Sequence, residues 1–432
     1  MRSFIALSGG ILILAAQAVV GSTDENFWPQ WRGPLGTGVA PHADPPLHWS
    51  ETNHVKWKLA LPGESDSTPI IWEDRVFVLS AVPAERGTSE AEKATGGNGT
   101  FRFTVFCVNR SSGEIMWQKV ARETSPHEGR QENNTFASAS PVTDGRLVWA
   151  FFGSRGLFCY DFDGNLKWQK DLGQMKTKMG FGEGASPALS GNTIVINWDH
   201  EGDDFIAAFD KTSGKELWRQ PRDEATGWST PLIVEFKGQK QVVVNATGKV
   251  RSYDLASGKE LWSCGGQTAN AIPSPVAQGD LVYLTSGFRG SAVQAIRLGR
   301  TGDLTGTDAI VWSRNKSTPY VPSPLLVDDF LYLISGNDNL VSCFAAKTGE
   351  PCFERERLEG LGSVYASPVC AGDRVYILGR EGACTVLRKG PKLDVLAVNK
   401  LADTRSDASI ALVENQIFLR TAHSLYCISA KD

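Results

Sequence analysis

The chain has 432 residues, 41% of them hydrophobic, and 44 basic against 48 acidic side chains give a net charge of -4. No excess of basic residues is present to bind a phosphate backbone, which argues against a nucleic-acid partner. The 13 Trp and 44 Gly favour short twisted strands joined by tight turns.

The N-terminus has the pattern of a signal peptide. Arg2 supplies a positive charge, residues 4–16 are an apolar run, and residues 16–18 read Ala-Gln-Ala, a cleavage signal. The apolar run is shorter than the roughly 20 residues of a membrane span, although an uncleaved anchor is the alternative. We therefore predict a signal peptide at 1–21, an extended leader at 22–53, and a periplasmic or otherwise exported protein that is peripheral to a membrane at most.

Two signatures recur along the rest of the chain. The first is a turn with Asp and Gly followed by Trp, as in D-x-x-S-G-K-E-L-W at residues 210–218 and 254–262. The second is Ser/Thr-Pro followed by apolar residues. Its copies are Thr68-Pro69, Ser140-Pro141, Ser186-Pro187, Thr230-Pro231, Ser274-Pro275, Ser323-Pro324, Ser367-Pro368 and the proline-less Ser409-Ile410. Successive copies lie 72, 46, 44, 44, 49, 44 and 42 residues apart, and the long first interval contains a polar insertion at 84–100. The sequence therefore contains eight repeats.

Each repeat has the strand content of one propeller blade. Residues 140–168 contain four short β-rich runs separated by Gly-bearing turns, which indicates consecutive hairpins. Four strands at this period are typical of a propeller blade. The last repeat lacks its fourth strand, whereas residues 54–59 carry an unmatched strand with Trp57. Pairing of residues 54–59 with 425–428 would remove an exposed edge. We predict an all-β, eight-bladed β-propeller of four-stranded blades at 54–432, closed into a ring by this N-terminal strand.

The recurring tryptophans are interpreted as structural, because a large flat ring can pack between adjacent blades. These are Trp57, Trp117, Trp168, Trp218, Trp262 and Trp312.

The motif A-x-D-x-x-T/S-G-K/E-x-x-W resembles the tryptophan-docking motif of propellers related to pyrroloquinoline-quinone (PQQ) dehydrogenases, over about residues 50–432. The leader NFWPQWRGPLGTGVA resembles the opening of exported PQQ-like repeat proteins. Two families use this scaffold: the quinoprotein alcohol dehydrogenases, which are enzymes, and the non-catalytic BamB propellers of outer-membrane protein assembly. The resemblance implies a BamB-like interaction scaffold in the cell envelope. The alternative is an atypical PQQ-dependent quinoprotein alcohol dehydrogenase.

The residues favour the non-catalytic interpretation. The dehydrogenases normally carry a vicinal Cys-Cys pair over the cofactor, and this sequence has none. Glu183, Asn197 and Asp199 offer oxygen ligands for a hard cation, but we interpret them as ordinary polar loop residues. We therefore expect no catalytic residues, no metal and no cofactor, with PQQ and calcium belonging only to the alternative.

Four of the eight cysteines occupy one repeat position that other blades fill with Ala or Ser, which predicts small, buried, reduced side chains. They are Cys107, Cys159, Cys343 and Cys427. Cys264, Cys352, Cys370 and Cys384 show no obvious pairing scheme, and a Cys370–Cys384 disulfide within one blade is left open.

Hairpin geometry assigns the long segments 84–100, 119–138 and 171–184 to one face of the propeller, and the tight turns to the other. Binding usually depends on irregular loops displayed by a rigid scaffold, so this face is the candidate site for an envelope protein partner, bound by a monomer. The candidate contacts are Arg155, Phe181, Trp228, Arg289, Arg380 and Arg420, with the arginines recurring in second-to-third turns. Turn charges without a partner are the alternative for these arginines. Charge reversal at Arg289 and Arg380 is expected to weaken binding and leave thermal stability nearly unchanged.

Overall fold

The computed structural model describes residues 23–84, 99–402 and 405–430, and its regular structure is almost entirely β. The predicted signal peptide at 1–21 and most of the insertion at 84–100 lie outside these residues. Short 3-10 helices occur at Thr23–Asn26, Gly153–Arg155 and Lys178–Gly180. No helix in the described part of the chain is both long and apolar enough to cross a bilayer.

The strands form eight four-stranded antiparallel blades, which confirms the predicted fold class. The leader contributes β1 (Val39–Ala40), and β2 (Val55–Ala60) follows it at the start of the propeller. Blade 1 comprises β3 (Ile70–Trp72), β4 (Arg75–Pro83), β5 (Phe101–Asn109) and β6 (Ile115–Thr124). Blade 2 comprises β7 (Val142–Thr143), β8 (Leu147–Phe151), β9 (Leu157–Asp161) and β10 (Leu166–Lys170). Blade 3 comprises β11 (Ala188–Ser190), β12 (Thr193–Trp198), β13 (Phe205–Asp210) and β14 (Glu216–Pro221).

The remaining blades follow the same order from the innermost to the outermost strand. Blade 4 comprises β15 (Leu232–Phe236), β16 (Gln239–Val244), β17 (Val250–Asp254) and β18 (Glu260–Cys264). Blade 5 comprises β19 (Val276–Gln278), β20 (Leu281–Ser286), β21 (Ala292–Arg297) and, after the short β22 (Gly302–Asp303), β23 (Ile310–Arg314). Blade 6 comprises β24 (Leu325–Val327), β25 (Phe330–Ser335), β26 (Leu340–Ala345) and β27 (Pro351–Arg357). Blade 7 comprises β28 (Val369–Ala371), β29 (Arg374–Leu378), β30 (Ala383–Arg388) and β31 (Val395–Lys400). Blade 8 comprises β32 (Ala411–Val413), β33 (Gln416–Arg420) and β34 (Ser424–Ser429), completed by β2.

Ring closure occurs as the sequence predicts. Strand β2 pairs antiparallel with β34, from Val55 opposite Ile428 to Ala60 opposite Ser424. The first and last parts of the described chain therefore share blade 8, which leaves β34 without an exposed edge.

Most of the repeated tryptophans pack against the next blade and donate a hydrogen bond to it. Trp168 of blade 2 lies against Gly214 in the last turn of blade 3, where a Cβ would come within 2.7 Å of the indole ring. Its Nε1 donates a hydrogen bond of 3.0 Å to the carbonyl oxygen of Lys211. Trp57, Trp117, Trp218 and Trp312 make the same contact with the next blade, through Gly113, Gly164, Gly258 and Gly349. The absence of a side chain at these glycines is therefore what lets adjacent blades approach.

Trp262 departs from this arrangement. The last connection of blade 5 is longer and forms β22, which pairs in parallel with β18 at Trp262 itself. The indole is 1% exposed, and its Nε1 donates to the side-chain oxygen of Gln241, 3.0 Å away in the same blade. The longer connection of blade 5, with its strand β22, thus takes the place of the docking glycine at the interface between blades 4 and 5.

All eight cysteines lie in the described residues as free thiols. The four that share a repeat position are 0% exposed. Burial raises the pKa of the Cys107, Cys159 and Cys427 thiols to about 12, which keeps them protonated and poorly nucleophilic in the folded protein.

Candidate functional site

The Ser/Thr residues of the blade-opening signature form a closed ring of hydrogen bonds around the central channel. The backbone N–H of each donates to the side-chain oxygen of its equivalent in the next blade, at 2.9–3.0 Å. In ring order the members are Thr68, Ser140, Ser186, Thr230, Ser274, Ser323, Ser367 and Ser409. The last bond runs from Ser409 back to Thr68, so the hydroxyl signature marks the channel as well as the start of each blade.

The leader packs against the inner strands at the face of the tight turns, which we call the turn face. Arg32 is 5% exposed and donates to the carbonyl oxygens of Pro368 (2.9 Å), Pro324 (2.7 Å) and Thr37 (3.0 Å). Burial lowers the pKa of this guanidinium to about 9. Strand β1 then pairs in parallel with the innermost strand of blade 7. The leader is therefore an integral part of the ring.

The opposite face, which we call the loop face, opens into a cavity of about 180 Å³ at the end of the channel. Its wall includes the residue two positions before each ring hydroxyl, one from every blade. In blade order these are Asp66, Ser138, Gly184, Trp228, Ile272, Val321, Tyr365 and Asp407. Trp31 of the leader, Phe181 and Tyr320 also line the cavity.

This wall has two chemically different halves. The polar half comes from blades 8, 1 and 2, with Asp407, Asp66 and Ser138. Blades 4 to 7 supply the apolar half, which is mostly aromatic. Opposite blades in an eight-membered ring are four apart, so blades 8 and 1 lie across the channel from blades 4 and 5. The carboxylates therefore face Trp228 and Ile272.

The carboxylates of Asp407 and Asp66 have very different cationic and hydrogen-bonding neighbours. Asp407 accepts two hydrogen bonds from Arg380, at 2.6 and 3.0 Å, and Arg405 lies 3.7 Å away. Asp66 accepts a 3.3 Å bond from the Ser138 hydroxyl. Burial and the charge of Asp407 raise the pKa of Asp66 to about 7, against smaller opposing effects of Arg405, Ser138 and Arg130. Asp66 is therefore only partly ionised at neutral pH.

The predicted contact residues divide into buried and accessible ones. Arg155 is 5% exposed, 3.0 Å from the Glu183 carboxylate, and between the rings of Phe103 and Phe136. Arg420 is 0% exposed and donates to the Gly63 carbonyl oxygen at 3.4 Å. Neither guanidinium is presented to a partner in this conformation.

Phe181 and Trp228 are half-buried in the cavity wall, where the Trp228 Nε1 donates to the Gly182 carbonyl oxygen at 2.7 Å. Arg380 stacks 4.2 Å above Tyr365 while it holds Asp407. Burial opposes its ionisation, yet the bonds with Asp407 raise the pKa of Arg380. Arg289 is exposed, has a positive φ of 52°, and lies over the Phe288 ring. Of the four arginines, Arg289 alone is fully exposed.

Two of the three residues considered as calcium ligands, Glu183 and Asp199, already have arginine or hydroxyl partners, whereas the buried Oδ1 of Asn197 has no hydrogen-bond partner among the described residues. Glu183 accepts bonds from the Ser154 N–H (2.7 Å), the Ser154 hydroxyl (2.5 Å) and Arg155. Asp199 is paired with Arg222 at 2.5 Å, and both side chains are 0% exposed. A divalent cation bound by both carboxylates would have to displace these partners, so Glu183 and Asp199 as arranged here do not fit the calcium of the dehydrogenase alternative.

One further group of three possible metal ligands occurs among the described residues, His127, Glu128 and Glu183. A His127 ring nitrogen lies 2.6 Å from the Met175 carbonyl oxygen, and Glu128 accepts bonds from the Thr177 N–H and hydroxyl. These side chains hold the segment 171–184 in place.

The fold, the docking tryptophans and the blade period define a PQQ-like β-propeller repeat protein. The family model described as outer membrane protein assembly factor BamB matches residues 102–355, more than half of the chain. The chain belongs to this family. No curated protein matches it in sequence.

Solved structures share the fold at low sequence identity. BamB from Moraxella catarrhalis has a TM-score of 0.60 and 15% identity, covering 87% of this chain and 99% of that one. A europium-containing methanol dehydrogenase has a TM-score of 0.64 and 9% identity, covering 94% and 98%. The quinohemoprotein alcohol dehydrogenase from Comamonas testosteroni has a TM-score of 0.65 and 8% identity, covering 96% and 82%. At these identities the similarity concerns the fold.

Proposed function

We propose that this chain is a non-catalytic, exported β-propeller that binds a protein partner in the cell envelope through its loop face. The family supports an assembly role, since its description names an outer-membrane assembly factor. The signal-peptide pattern of the sequence supports export. We propose that the protein acts as a monomer.

The observation that best supports the proposal is the solvent exposure of the Met179 side chain on the loop face. This side chain is 82% exposed, and its backbone has a positive φ of 52°, a conformation that L-residues rarely adopt. Such strain persists where the surroundings impose it, and it concentrates at functional sites. A flexible, polarisable Met is well suited to an adaptable protein contact.

The neighbours of Met179 hold it rigidly. The Lys178 N–H donates to the Thr226 hydroxyl at 2.8 Å, and the Lys178 Nζ donates to Asn270 at 3.1 Å. The Thr177 N–H donates to Glu128 at 3.0 Å. The loop is thus tied to three other segments of the loop face, so an exposed apolar side chain is presented without the ordering cost of a mobile loop.

Site-specific photo-crosslinking in cells tests this proposal. A photoreactive residue at Met179 or Arg289 is expected to give a discrete product of higher mass, whereas the same residue at Lys259, exposed on the turn face, gives none. Met179→Asp and Arg289→Glu should abolish the product, and Lys259→Glu should not. Crosslinking from Lys259 alone, or from no position, would contradict the proposal.

Export is tested separately, by fractionation of cells that produce the full chain. We expect the mature protein in the periplasmic fraction, shortened at its N-terminus. Recovery of the full-length protein in the cytoplasm would contradict this part of the proposal without affecting the crosslinking result.

A further inference from the structure

The cavity at the loop end of the channel has the composition of a ligand site with one charged wall and one aromatic wall. The polar half contributes one carboxylate, Asp66, that makes no direct ion pair within the described part of the chain, although the charges of Arg405 and Arg130 act on it from beyond salt-bridge distance. Among the described residues, no Lys or Arg nitrogen lies within salt-bridge distance of Asp66, whereas Asp407 is held by Arg380. An incoming cation would therefore find its counter-ion at Asp66.

The apolar half of the wall can contact the uncharged part of a cationic ligand. Trp228, Tyr320 and Tyr365 line it together with Ile272 and Val321. Aromatic faces attract cations, and combinations of aromatic rings with a carboxylate recognise ammonium groups. An apolar ligand body would pack against the same side chains.

The volume of the cavity and the charges in its wall further limit the class of ligand that it could bind. An apolar cavity of about 150 Å³ accommodates one benzene ring, and this one has about 180 Å³. A ligand anion would meet Asp66, while Arg380 is engaged with Asp407. A hard metal ion takes roughly six to eight oxygen ligands, which the aromatic wall does not supply.

We propose that this cavity binds a small organic ammonium ion, a protonated primary amine carried on an apolar body of about one ring. The ammonium group lies against Asp66, and the apolar body packs against Trp228 and the aromatic wall. This proposal does not rest on the partner contact at Met179, and its test uses no partner protein.

The probe is 2-phenylethylammonium, titrated calorimetrically into the mature protein at pH 8. We expect saturable binding at one site, at least about tenfold tighter than that of the neutral 2-phenylethanol or the anionic 3-phenylpropionate, since charged hydrogen bonds contribute more than neutral ones. Asp66→Asn should weaken amine binding by about tenfold or more. The matched control Asp203→Asn, an exposed aspartate of the same face outside the cavity, should leave it unchanged.

The pH dependence gives a second measurement that needs no variant. The ammonium stays charged below its pKa of about 10, whereas Asp66 gains its charge as the pH rises through about 7. Affinity in the wild type should therefore rise about tenfold between pH 6 and pH 8. In Asp66→Asn it should be flat.

A second probe identifies the source of the ammonium group. N-acetyl-lysine methylamide, which mimics a lysine of a polypeptide, should compete at the same site. Tighter binding of this compound than of 2-phenylethylammonium assigns the site to a lysine side chain, and weaker binding assigns it to a free amine. Equal binding of the neutral alcohol, an unchanged affinity in Asp66→Asn, or no amine binding at millimolar concentration would overturn the proposal.

Discussion

Replacing Arg380 with glutamine is expected to destabilise the protein by about 3 kcal/mol. Arg380 makes a two-pronged bond with Asp407, whose side chain is 4% exposed. Removing one partner of a buried ion pair costs about 3–5 kcal/mol, because the other charge is left uncompensated. Since the Arg380 side chain is 21% exposed and Arg405 remains 3.7 Å from Asp407, water and Arg405 replace part of the lost interaction and the lower end of this range applies. This differs from the sequence-based expectation that charge reversal at Arg380 leaves stability nearly unchanged.

Urea denaturation of a double-mutant cycle measures this cost. The free energy of unfolding should fall by about 3 kcal/mol in Arg380→Gln and by less than about 0.5 kcal/mol in Arg289→Gln, the exposed control. In the Asp407→Asn background most of the Arg380→Gln cost should disappear, because no buried charge remains to be stranded. An equal cost in both backgrounds would refute the argument.

The pH dependence of the variant gives an independent check. Without Arg380, Asp407 stays buried beside Asp66, and both effects disfavour the charged carboxylate in the folded protein. A carboxyl group whose charged form is disfavoured by folding contributes more stability when it is protonated. The stability deficit of Arg380→Gln should therefore shrink as the pH falls from 8 to 5. A deficit that grows towards low pH would contradict this assignment.

Two further changes test the ring. Gly214→Ala should lower the free energy of unfolding by about 2–5 kcal/mol, because the backbone is left-handed there and the new methyl group would overpack against Trp168. The control Gly191→Ala is also at positive φ, but a Cβ there would have nothing within 4 Å. It should therefore cost only about 1–2 kcal/mol. Equal losses in urea denaturation would show that the tryptophan contact contributes nothing. Deleting the chain up to residue 53 should lower the melting temperature yet leave a monomer, whereas deletion up to residue 60 also exposes the edge of β34 and should cause aggregation, measured by size-exclusion chromatography. Equal behaviour of the two deletions would contradict the role of β2.

The fold could be predicted because its determinants are local and repeated. In most blades the last tight turn contains Gly and is followed by Trp, and each blade opens with Ser or Thr, so one repeat can be recognised from another. The unmatched Trp57 then identifies the strand that closes the ring. Such agreement between local signals and overall architecture makes the blade count readable from the sequence.

The contact residues were harder to predict, because equal repeat positions do not have equal surroundings. Arg155 and Arg289 both lie in second-to-third turns. Glu183 and two aromatic rings enclose Arg155, whereas Arg289 points to solvent beside Phe288. The neighbours that decide burial come from other blades and from the segment 171–184, which has no repeat counterpart. For the same reason the path of the leader, and the burial of Arg32 within it, carried no periodic signal.

The ring of hydroxyls explains how identical blades can surround an asymmetric cavity. Each blade contributes one backbone N–H donor and one Ser or Thr oxygen acceptor to the closed ring of hydrogen bonds. This ring requires Ser or Thr at one position in all eight repeats. The position two residues earlier takes no part in this ring of hydrogen bonds. It is therefore free to differ from blade to blade, and the residue at this position lines the cavity in every case. Asp66 and Trp228 occupy equivalent positions with opposite chemistry, so the constancy of the ring allows the channel mouth to acquire the polar and aromatic walls that a ligand requires.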